Sequence, residues 1–207
     1  VDLKTSERRE VSAIEPGFAI AARTRLLRED VSPQAVEGAL ADPAALRRRL
    51  SSADPARWLV RIHSEEARFE CLADRSWRVD MDTREQCVLR KVENNEVIAQ
   101  CDIGPMPALE SGTQLTLEGF QADIHRALAD SLQQFVLAEE KRTAEGLRLL
   151  RCVVDGLIED VPIQWVYCHL SDDSGRRMLL VFTMGGNVTD RFAGSDEQIT
   201  SSFRFLS

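Results

Sequence analysis

The sequence predicts an α+β fold around a central antiparallel sheet, and three observations carry that expectation. The stretch Val161–Gly186 holds two runs rich in β-branched and aromatic residues, joined by Ser171-Asp172-Asp173-Ser174-Gly175-Arg176. Such turn-forming residues between two strand-like runs read as a β-hairpin. With a four-residue loop at Asp172–Gly175, Trp165 would pair with Phe182 and Tyr167 with Leu180. Both faces of that hairpin are apolar, so it belongs in the middle of a sheet covered on each side. Second, Leu117, Phe120, Ile124, Leu128, Leu132, Phe135 and Val136 recur at spacings of three and four. That stripe predicts a long helix over 117–144, ended by Gly146, that lies across one sheet face. Third, strands follow one another in a meander rather than alternating with helices, which excludes a βαβ arrangement.

From the start of the chain, residues 1–15 are polar and aperiodic and read as a flexible lead-in. Residues 16–207 then read as one domain, with an N-terminal strand and helical unit at about 16–64. Within that unit Phe18–Leu27 is an extended segment. Ser32-Pro33 and Asp42-Pro43 each open a short helix, because Pro suits the first helical position and Ser or Asp the cap. Trp58–His63 and Arg68–Leu72 are short strands, and the polar run Arg78–Arg84 reads as exposed. Gln86–Glu93 and Glu96–Ile103 form a second hairpin about Asn94-Asn95, since Asn tolerates the left-handed backbone of a type I′ turn. Leu147–Val154 is a further strand, turning at Asp155-Gly156. Asn187 caps a helical turn, and Ser195-Asp196-Glu197-Gln198 fits a capping box for a last helix. Ile199, Phe203 and Phe205 then anchor the C-terminal residues in the core.

A composition of 43% hydrophobic and 29% charged residues is that of an ordinary globular domain. No run of about 18 apolar residues occurs, so no membrane-spanning helix is expected. The formal net charge of −8 argues against a nucleic-acid partner. It is unevenly spread, with residues 1–64 net +2 and residues 65–207 net −10. Five cysteines form no CxxC and no Cys/His cluster, so core packing is their expected role and zinc is not implied.

No catalytic constellation is visible. Cys168 adjoins His169, but neighbours on a strand point to opposite faces and cannot form a dyad. His63, His125 and His169 each stand alone, and a lone histidine on an apolar face is first a packing residue. Asp172-Asp173 is explained by turn chemistry before it suggests a cation site. Gly185-Gly186 follows a strand but lacks the flanking residues of a phosphate loop. Catalytic residues, metal ligands and cofactors are therefore not assigned. The candidate partner-binding residues are the arginine triplet Arg47, Arg48 and Arg49, with Trp58 and Trp77 in polar surroundings beside arginines.

The second half resembles the PsbP-like family, which includes the photosystem II extrinsic subunit, the eukaryotic Ran-release factor and bacterial exported proteins. The resemblance runs over about residues 69–207. It is carried by the predicted helix 117–144, the strand 147–154, the pair QWVYCHL…RRMLLVFT and the tail DRFAGSDEQITSSFRFL. It implies an α/β/α sandwich, with one long helix on one face of the antiparallel sheet and short helices on the other. It also implies a non-catalytic protein-binding or assembly role, a protein partner, and a periplasmic or exported location rather than a cytoplasmic one. The alternative reading is a carrier of a small apolar ligand in a cleft between the N-terminal unit and the sheet, and a hydrolase ranks third.

Overall fold

The computed structural model describes residues 59–206 apart from 66, 84–85, 110–112 and 193. The expected lead-in, the part of the N-terminal unit before residue 59, Arg47, Arg48, Arg49 and Trp58 lie outside these residues, while the strand expected at Trp58–His63 is seen from Leu59 onward.

A seven-stranded antiparallel sheet runs in the order β3-β4-β5-β9-β8-β7-β6. Its strands are β3 (Trp77–Asp82), β4 (Cys87–Glu93), β5 (Glu96–Met106), β6 (Leu132–Arg142), β7 (Arg148–Ile158), β8 (Val161–Ser171) and β9 (Arg177–Gly185). A smaller sheet of β1 (Leu59–Ser64), β2 (Phe69–Asp74) and β10 (Arg204–Phe205) has the order β1-β2-β10. Helix α1 (Leu117–Leu128) lies on one face of the large sheet. The small sheet, with short helices α2 (Thr189–Phe192) and α3 (Ser195–Ser201), covers the other. The predicted α+β sandwich is thus the observed architecture, with a small sheet added to one outer layer.

The hairpin β8–β9 sits at the centre, and Trp165 and Phe182 are buried as expected. Its register differs by one residue from the expected one: Val166 faces Phe182 and Trp165 faces Thr183. The loop is longer by Arg176, because the Asp172 carboxylate accepts the backbone N–H groups of both Ser174 and Arg176. Since side chains alternate along a strand, that slip moves the whole of β9 to the opposite face from the one expected. Phe182, Leu180, Met178 and Met184 join Val166, Cys168 and Leu170 on the side of the small sheet. Trp165 and Tyr167 pack with Leu179 under Phe120 and Ile124 of α1.

The predicted long helix stops at Leu128, where Ala129 takes φ 46° and a 3₁₀ turn leads into β6. The apolar spacing beyond it has another cause. Bulges fall between Leu132 and Gln134 and between Phe135 and Leu137, each inserting one residue against β7. Leu132, Phe135 and Ala138 therefore all oppose the α1-side residues of β7, and a twice-bulged strand imitates a helical repeat.

The polar run after Trp77 is largely exposed as expected, with Arg78, Asp80 and Met81 open to solvent, and it forms strand β3, which pairs with β4. One further expectation changes. Asp155-Gly156 does not turn; β7 continues to Ile158, and Glu159-Asp160 makes the turn with φ of 49° and 66°. Asn94-Asn95 turns as predicted, with φ of 51° and 64° between the paired Glu93 and Glu96. The tail closes the fold, with Ile199 and Phe203 fully buried and Phe203 stacked on Phe69 at 5.1 Å.

Candidate functional site

A recess among the described residues lies where the β6–β7 connection meets α3. It is a groove of about 470 Å³ lined by Lys141, Arg142, Thr143, Glu197, Gln198 and Ser201, with Leu149 at its floor. One wall is β6, the last strand of the large sheet, whose outer backbone edge pairs with no other described strand. Leu137, 39% exposed, shares the α3 side of β6 with Glu139 and Lys141. Val136, on the other side, is 53% exposed.

The opposite wall is held in place by two ion-pair networks. Arg151 Nε donates to Asp196 Oδ2 at 2.6 Å and Arg151 Nη1 donates to Glu139 at 3.2 Å. Lys141 Nζ bridges Glu139 at 3.1 Å and Glu197 at 3.4 Å. Burial would raise the Glu139 carboxyl, but bonds from Lys141 and Arg151 outweigh it and hold it below its ordinary range. At the start of α3, the buried Lys91 ammonium donates to Asp74 at 2.9 Å and to Ser195 at 3.0 Å. Ser195 is therefore spent on Lys91 rather than on a capping box, and Gly194, at φ 79°, takes the cap position. The groove walls consequently carry carboxylates and cations already balanced against each other.

All five cysteines are buried, and none is in a disulfide. Burial pushes the Cys152 thiol up to about 11 and the Cys71, Cys101 and Cys168 thiols up as well, so none of these four is a ready thiolate. Cys168 faces the small sheet while His169 faces α1, as the strand alternation required. Asp172 is engaged in its own turn by Ser174 and Arg176. Among the described residues no group of three or more His, Cys, Asp or Glu side chains is placed to hold a metal ion.

Trp77 corrects the expected interface. It is 2% exposed and packs edge-on against Phe182 at 6.0 Å and Phe192 at 6.4 Å. Its neighbours Arg75 and Arg78 point outward while the indole fills the core, so the polar context misreported the ring. Trp77 is a packing residue. The residues that shape the groove were not singled out by sequence; Leu137 and Lys141 were assigned to a helix.

No protein-family model and no curated protein matches the sequence. The fold does have known counterparts, and it is PsbP-like. The solution structure of the cyanobacterial PsbP protein from Synechocystis sp. PCC 6803 superposes with a TM-score of 0.52 at 14% identity, covering 72% of this chain and 92% of that one. The Ran-binding protein Mog1p of Saccharomyces cerevisiae gives 0.48 at 7% identity, over 68% and 91%. A Bacteroides thetaiotaomicron VPI-5482 structure also gives 0.48, at 8% identity, and this chain spans 46% of its length. The superposition on the cyanobacterial PsbP protein shows likeness of fold alone.

Proposed function

We propose that this protein is a non-catalytic binding or adaptor protein that receives a protein partner along β6 and the adjoining groove. The observation that carries the reading is the pairing of an open strand edge with a 470 Å³ groove whose other wall is rigidly braced. An extended peptide can add to such an edge through backbone hydrogen bonds, while the groove and Leu137 supply side-chain contacts. The charges flanking Leu137 guard the edge against unspecific pairing and leave room for a matched partner. The PsbP-like fold supports a binding role by analogy of fold. The same analogy favours a periplasmic or exported location, and cell fractionation with antibody detection tests it. Among the described residues no helix is long and apolar enough to cross a membrane.

A photo-crosslinking amino acid at position 137 of the full chain tests the docking surface in native extract. One stoichiometric adduct, lost when Lys141→Glu is added, is the expected result. Adducts absent, or spread over many proteins and unchanged by that substitution, overturn it.

A further inference from the structure

On the α1 side of the large sheet, three cationic or proton-donating side chains converge at the end where β8 turns into β9. They are Arg148 on β7, His169 on β8 and Arg177 on β9. Arg148 is satisfied: its guanidinium grips Glu140 at 2.7 and 2.8 Å and donates to the Leu115 carbonyl at 2.5 Å. The other two are not. His169 is 0% exposed, and neither Nδ1 nor Nε2 has a hydrogen-bond partner. Arg177 is half-buried with an enclosed, unpartnered Nε, and it makes no hydrogen bond or ion pair among the described residues.

Buried polar groups in folded proteins are nearly always paired, so two such groups side by side call for a common acceptor. The carboxylate whose charge reaches Arg177 is Asp123 on α1, but it is exposed and bonded to Arg126 at 3.1 Å. Among the described residues, one guanidinium charge is thus left without a bonded counter-ion near an imidazole able to donate one further hydrogen bond. The surroundings are apolar: Phe120 lies 5.8 Å from the His169 ring, with Leu150, Leu179 and Met106 around it.

We propose that Arg177 and His169 form a binding point for the carboxylate of a small monocarboxylic acid with an apolar tail. The planar guanidinium fork matches a carboxylate, and a single uncompensated positive charge matches a monoanion better than a phosphate dianion. The acid places its carboxylate against Arg177, the partly exposed member of the pair, with its tail towards the apolar cluster of Phe120 and Leu179. Burial, followed by the charges of Arg177 and Arg148, keeps the imidazole neutral near pH 7, with its pKa near 4, so the site carries one net positive charge there. This site lies on the opposite sheet face from the β6 groove and does not depend on it.

Hexanoate titrated into the full chain, against chloride at equal ionic strength, tests the site through the imidazole NMR signals of His169. Saturable shifts of those signals are expected, and Arg177→Gln should weaken binding about tenfold or more, the scale of one lost charge-assisted pair. Arg177→Lys, which keeps the charge and loses the fork, should fall between the two. The proposal is overturned if the His169 signals stay put through the millimolar range. It is equally overturned if inorganic phosphate moves them as strongly as hexanoate, or if Arg177→Gln, with its fold verified by the same spectrum, binds unchanged.

Discussion

Arg151 and Asp196 join the large sheet to the last helix through a contact of 2.6 Å, with the Asp196 side chain only 2% exposed. Burial depresses the Arg151 pKa, but the bond to Asp196, the charges of Asp196 and Cys168 and the bond to Glu139 together outweigh it and drive it upward. Removing one member of a buried pair strands the other, at a cost of about 3–5 kcal/mol. Asp196→Ala should therefore lower the urea midpoint by that equivalent and loosen α3. An apolar double replacement, Arg151→Met with Asp196→Leu, should recover most of the loss. If the single variant melts like the parent, the brace has no energetic role.

His169 predicts a stability loss on mild acidification. Its pKa falls from 6.5 to about 4 in the folded state, by burial first and then by the Arg177 and Arg148 charges. The unfolded chain takes up the proton first, so stability is complete above about pH 6.5 and drains away as the pH falls towards 4. The full effect is about 3 kcal/mol, since each pKa unit corresponds to about 1.4 kcal/mol. Carboxylates held low by their partners, such as Glu70 and Asp172, lose their contribution mainly below about pH 4.5, where their unfolded forms take up protons. His169→Leu should flatten the curve between pH 6.5 and 4.5 in equilibrium unfolding. A slope there as steep as the parent's would show that another group titrates.

Gly156 is confined by the 3₁₀ turn that passes over it. A Cβ there would meet the Ser131 carbonyl at 2.0 Å and the Trp165 ring at 2.7 Å. Gly156→Ala should cost about 1–3 kcal/mol or more, because backbone must move as well as a side chain. Thermal unfolding of the variant measures it, and an unchanged midpoint would place the turn elsewhere.

The turns β4–β5 and β7–β8 both need left-handed backbone, yet only the first uses asparagine pairs. Replacing Glu159-Asp160 by Asn-Gly should stabilise the protein by about 1 kcal/mol. Asn95→Val should destabilise it by about 1–2 kcal/mol, the cost of a β-branched residue at positive φ. Chemical denaturation of both variants should show opposite signs.

These turns mark what can be read from residues alone. Asn94-Asn95 announced its turn because the side chain favours the required φ, whereas Glu159-Asp160 carries no such mark and Asp155-Gly156 misdirected the reading. The central hairpin was legible from its two apolar faces. Its register was not, because both faces are apolar and a slip exchanges one greasy side for the other. The bulges of β6 were invisible for a related reason: inserting a residue twice reproduces helical spacing over Leu132, Phe135 and Ala138. The site was harder still. Arg177 and His169 are remarkable only for partners they lack, which becomes visible once the surrounding chain is placed.

Arg204 and Glu70, 134 positions apart, are bonded across the junction of β10 with β2, and the Leu206 N–H donates to the Arg68 carbonyl at 2.7 Å. During synthesis β2 therefore leaves the ribosome long before the strand that seals it. Until residues 203–206 emerge, Phe69 has no Phe203 to stack on and the border of β2 that β10 occupies stays unsealed, so the small sheet closes only with the last residues of the fold.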